Sequence, residues 1–217
     1  MSDAHAAHGP LDHHFETLEQ QNETCSIGMW AFLVQEVMFF GGLFACYIVF
    51  RHVYPQAFLQ GSSHLGVGYG AFNTVVLLGS SLTMALAVRE AQLGRVKGIV
   101  GYIVATMACA FVFLGVKWVE YGHKYHDGLI PGFAWHPEAP ENGLRTFFGL
   151  YFAMTGMHAL HMLIGLVLMV FVAVRALRGR YSPENYIGVE VLGLYWHFVD
   201  LVWIFLFPLL YLLGRES

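Results

Sequence analysis

Six ionisable side chains, Glu36, His158, His161, Glu190, His197 and Asp200, lie inside otherwise apolar stretches of this chain. At 100° per residue, Glu190, Gly193, His197 and Asp200 fall within about 80° of one another on a helix. In the preceding apolar run, Tyr151, Thr155, His158, His161 and Gly165 share a face spread over roughly 120°. An ionisable group at mid-bilayer costs roughly 2.5–3.5 kcal/mol on insertion scales unless it faces protein or water. Both polar stripes are therefore expected to pack inward. Helix one contributes the acid Glu36 on a face with Phe32, Phe40, Leu43 and Tyr47.

Three chemistries compete for these residues. A metal or haem site is disfavoured by spacing. His158 and His161 are HxxH, whereas a zinc-protease helix places two histidines at i and i+4 in HExxH. Two histidines on one helix cannot be axial ligands on opposite faces of a haem, and the Glu-x-x-His pairs of a carboxylate di-iron bundle are absent. The second chemistry is a proton or ion pathway, and the third a static polar network that fixes helix register. A carboxyl alone in an apolar medium keeps its proton, while one beside an imidazole can share it. Counted along the apolar spans at 1.5 Å per residue, Glu36 and His197 lie at depths of about 12 and 14 Å, and Asp200 and His161 at about 18 and 20 Å. This predicts the pairs Glu36–His197 and His161–Asp200.

The elements that must position these groups follow from composition. The chain has 217 residues, 57% hydrophobic and 12% charged. A soluble domain averages about 25% charged residues, so the deficit points to a membrane protein. Five apolar runs are long enough to cross a hydrocarbon core roughly 30 Å thick: 28–50, 66–88, 98–119, 146–174 and 188–213. Backbone hydrogen bonding in lipid makes each a helix, giving an all-α bundle of five transmembrane helices over 28–217. The polar segment 1–27 has no apolar core, Lys or Arg and is not a secretory signal. Its His5, His8, His13 and His14 read as a polar tail with metal binding as the alternative.

Loop charge sets the orientation. Loops two and four carry Arg89, Arg95, Lys97, Arg175, Arg178 and Arg180, against Arg51, Lys124, Arg145 and Arg215 on the other side. The positive-inside bias places the N-terminus inside and the C-terminus outside. Small-residue stripes (Gly66, Gly70, Asn73 and Ser80 on helix two; Gly98, Gly101, Ala105, Ala108 and Gly115 on helix three) are expected to let helices approach closely. An interhelical hydrogen bond is expected of Asn73 and Ser80. Cys46 and Cys109 read as small buried hydrophobes, and Cys25, Cys46 and Cys109 form no CxxC motif. No basic nucleic-acid-binding face is present.

Several motifs, in order, resemble subunit III of the haem–copper oxidases, specifically of cytochrome c oxidase: QEVMFFGGLFACY on helix one, NTVVLLGSS on helix two, TGMHALHMLIG on helix four and GVEVLGLYWHFVDLVWIFLF on helix five. The likeness spans nearly the whole chain and matches the shorter five-helix bacterial form. It implies an accessory subunit of a bacterial inner-membrane oxidase with no catalytic residue, haem or copper of its own; those cofactors belong to subunits I and II. The chain would pack on subunit I, support proton uptake and protect the oxidase during turnover. Glu36 matches the family's carbodiimide-reactive glutamate, and Arg175 an arginine that holds a phospholipid phosphate. A larger respiratory supercomplex is a further possible partner. The alternatives are subunit III of a quinol oxidase or nitric-oxide-reductase relative, and a stand-alone proton-coupled transporter. The last would need an internal repeat that the sequence lacks.

Overall fold

The computed structural model describes residues 17–132, 134–135 and 142–212. Five helices in it are long and apolar enough to cross a membrane. These are α1 (Leu18–Val53), α3 (Val67–Gln92), α4 (Val96–His126), α5 (Asn142–Leu177) and α6 (Ile187–Phe207), the last continued by a π-helical turn at Pro208–Leu212. Pro208 has no backbone N–H to donate to the ladder, which accounts for the altered winding there. The four histidines at positions 5, 8, 13 and 14, and Arg215, lie outside the described residues.

Two elements were not expected. The first loop contains a nine-residue helix α2 (Pro55–Ser63), opened by Pro55 at its first position, where a missing N–H is harmless. Phe58 of α2 is buried and meets Phe147 of α5 edge-on at 5.3 Å. The loop after α4 folds into a short antiparallel hairpin of β1 (Leu129–Ile130) and β2 (Ala134–Trp135). Its tight turn uses Gly132 at φ +96°, a backbone region that glycine adopts without steric penalty.

Helix α1 begins earlier than the first apolar span. The helix starts at Leu18, ten residues before the apolar run. Thr17 caps it, its hydroxyl accepting from the Gln20 backbone N–H at 3.1 Å, which satisfies one of the otherwise unpaired first-turn donors. A capped polar turn extends a helix without any hydrophobic signal.

The core is centred on α6. Of the residues in its most apolar stretch 56% are buried, against 22% for α1, which leans on α5 and α6 from one side. Helices α3 and α4 form the most extensive pairing. The helix-two stripe packs as expected: Gly70, Asn73 and Ser80 are buried, and a Cβ at Gly70 would stand 2.6 Å from Phe207. The helix-three stripe does not. Gly101, Ala108 and Gly115 face outward, and α4 buries Ile99, Ile103, Thr106, Ala110, Phe113 and Lys117 instead. Cys46 is likewise exposed and Cys109 only half-buried. In a membrane, lipid accepts apolar and small side chains, so apolarity alone does not select the protein-facing side.

Candidate functional site

Glu36 and His161 form the central contact. Glu36 Oε2 lies 3.1 Å from His161 Nε2, with both side chains about one-tenth exposed. They are brought together by the packing of α1 on α5, where Phe40, one turn after Glu36, meets the His161 ring at 5.3 Å. The expected pairs Glu36–His197 and His161–Asp200 are thus replaced. The depth count failed because it ran from the ends of the apolar runs. Measured from the real helix ends on one side, Glu36 lies 18 residues after Leu18 and His161 16 residues before Leu177, about 27 and 24 Å. His197 lies only ten residues after Ile187, about 15 Å.

The hydrogen bonds of His161 fix what the contact contains. Its Nδ1 lies 2.8 Å from the Met157 carbonyl oxygen, which can only accept, so Nδ1 carries a proton. In a neutral imidazole Nε2 would then be a lone pair facing the carboxylate lone pairs at 3.1 Å. The two groups stand within ion-pair distance, but Oε2 has no hydrogen-bond partner among the described residues. The pair is therefore a compact, buried polar contact that joins α1 to α5. Tyr195 of α6 donates to the His161 carbonyl at 2.8 Å and clamps this part of α5.

The remaining expected residues divide. Asp200 is buried; Ser80 of α3 donates to the Leu77 carbonyl at 2.8 Å, has Asp200 Oδ2 at 3.4 Å as a longer alternative acceptor, and accepts from Trp196 Nε1 of α6 at 3.0 Å. Ser80 thus makes the interhelical bond expected of it. Asn73 makes none among the described residues. His197 is half-buried, and its Nδ1 pairs with Ser81 Oγ at 2.7 Å. His158 is fully buried between Phe113 and Trp203. Glu190 does not join the buried set. It sits in the first turn of α6 and lines a cleft of about 730 Å³ with Asn22, Glu23, Ser26, Glu184 and Tyr186. The partial positive charge of a helix N-terminus suits an acid there without burial. Arg175 lies in the last turn of α5, half-buried, its guanidinium 5.4 Å from the centre of the Phe171 ring.

One cluster escaped the sequence reading. Lys117 donates to Glu120 Oε2 at 2.9 Å and to the Tyr211 hydroxyl at 2.6 Å, and Tyr211 donates to Glu120 Oε1 at 2.6 Å. All three residues are buried, and the ammonium sits 4.7 Å from the centre of the Trp203 ring. Lys124, one turn further, donates to the His64 carbonyl. The signal was present as K-x-x-E-x-x-x-K, which places three charges on one helical face. It fell across the assumed end of the span at Val119. Among the described residues, no three His, Cys, Asp or Glu side chains are grouped to hold a metal ion.

These features describe a multi-pass membrane subunit with buried ionisable contacts between its helices. Residues 11–215 match the family model described as Cytochrome c oxidase subunit III. Cytochrome c oxidase subunit 3 of Thermostichus vulcanus is 35% identical over 192 residues, 87% of either chain. The subunit of the same name from Corynebacterium diphtheriae is 33% identical over 188 residues, 86% of either chain. Quinol oxidase subunit 3 of Bacillus spizizenii is 28% identical over 215 residues, 97% of either chain. The chain belongs to the cytochrome c oxidase subunit III family, the accessory subunits of haem–copper oxidases that carry no redox centre.

Proposed function

We propose that this chain is the accessory subunit III of a proton-pumping cytochrome c oxidase in a bacterial plasma membrane, with its N-terminus inside. In that complex it packs on subunit I, which with subunit II holds the haem and copper. The reading is supported by the family match over nearly the whole chain and by the lean toward relatives named for cytochrome c oxidase, at 35% and 33% identity. The site observation that carries it is the Glu36–His161 contact, a buried acid–imidazole pair held between two helices.

The pair's role in this reading is local. It locks α1 to α5, and so supports sustained proton uptake by the neighbouring subunit. In this reading Arg175, in the last turn of α5 and followed by Arg178 and Arg180, meets a phospholipid phosphate at the inner interface. An affinity tag on this chain tests the assignment. Co-purification of haem-bearing partners is the expected result, and recovery of a stable, haem-free single species would point to a transporter. A quinol oxidase is the second reading, favoured by the 97% coverage of the Bacillus spizizenii relative. A co-purified partner with a dinuclear copper site would decide for cytochrome c.

A further inference from the structure

Trp203 is fully buried where α3, α4, α5 and α6 meet. Its indole N–H donates to Thr74 Oγ1 of α3 at 3.1 Å, Phe113 of α4 meets it edge-on at 4.8 Å, and His158 of α5 lies 5.4 Å away, centroid to centroid. Three buried side chains on the helices around this indole have polar atoms with no hydrogen-bond partner among the described residues. They are both amide atoms of Asn73, both ring nitrogens of His158, and Oδ1 of Asp200. Asn73 immediately precedes Thr74, and Asp200 lies one turn before Trp203 on α6. Their exposures of 0, 1 and 4% leave no access to bulk solvent.

Buried polar atoms carry a desolvation penalty unless they are paired, and in folded proteins nearly all are paired with protein or ordered water. The orphan set is chemically mixed. An amide supplies donors and an acceptor, a neutral imidazole one of each, and a carboxyl oxygen an acceptor. A metal ion would leave the amide N–H groups unanswered. A small molecule that both donates and accepts answers all of them, and for polar groups buried this deeply that molecule is water.

We propose that Asn73, His158 and Asp200 hold internal water around Trp203, which makes the interior of α3–α6 a hydrated, proton-exchanging compartment. It is separate from the Glu36–His161 pair, which faces α1, and it stands on this chain's side chains whatever complex the chain joins.

The test uses the full chain in its purified complex. A structure that resolves ordered water should show density within hydrogen-bonding distance of Asn73 and of a His158 ring nitrogen. Hydroxyl-radical footprinting should oxidise Trp203 and His158 despite their burial, because radicals form from trapped water, while the buried Phe58 and Phe147 stay unmodified. Asn73→Leu and His158→Phe should each lower the oxidation of Trp203. Absence of density together with a Trp203 as unreactive as Phe58 would overturn the proposal. So would variants that assemble normally and leave Trp203 oxidation unchanged. Should a variant fail to assemble, the wild-type density and footprint decide alone.

Discussion

The carboxylate of Glu36 stands 3.1 Å from the imidazole of His161, and the opposite nitrogen of that ring is tied to the Met157 carbonyl. Two helices distant in sequence are thus joined by an acid and an imidazole within ion-pair distance. The contact is shielded by Phe40 and by α6, so its strength is not diluted by solvent as that of a surface pair would be.

A double-mutant cycle on Glu36→Gln and His161→Gln should return a coupling between about 0.5 and 3 kcal/mol, the range for residues in direct contact. Glu36→Gln should also be milder than Glu36→Ala, because its amide N–H can donate to the Nε2 lone pair that alanine leaves orphaned. Thermal unfolding of the purified complex, followed through this chain, measures both.

The Lys117–Glu120–Tyr211 cluster is a buried ion pair closed by a hydroxyl. Lys117→Met alone leaves Glu120 without its cation and should destabilise by about 3–5 kcal/mol. Lys117→Met combined with Glu120→Leu should recover most of that loss, since an apolar pair of similar volume is often neutral in such a site. Tm values of the single and double variants separate a broken pair from lost packing.

Gly165 lets α5 lie against the aromatic residues of α6. A Cβ there would stand 2.8 Å from Trp196 and 3.1 Å from Tyr195. Gly165→Val should therefore force the helices apart and cost roughly 1–3 kcal/mol, while the same change at Gly149, whose Cβ would meet nothing within 4 Å, should be far better tolerated. Expression level and Tm compared between the two variants check this.

The five spans and the inward turn of Glu36, His158, His161 and Asp200 were legible because lipid punishes both broken backbones and exposed charge. What failed rests on the same physics. Helix α1 runs ten residues past its apolar signal on a Thr17 cap, and the shift in its origin exchanged the predicted partners of Glu36. Glu190 lies on the predicted stripe but so close to the start of α6 that it meets the interface cleft. The outward stripe of Gly101, Ala108 and Gly115 shows that small residues mark a possible packing face without saying what covers it. Lys117 was hidden by an apolar window that counted it as a flaw in a span instead of a partner for Glu120.

The central claim is that this subunit supports turnover through Glu36 without holding a redox centre. Glu36→Ala in the assembled oxidase, examined by optical spectroscopy and by oxygen consumption over many turnovers, tests it most directly. Unchanged haem spectra and an unchanged initial rate, with activity that declines faster during sustained turnover, are the predicted results. Loss of a haem signal from the complex would contradict the account.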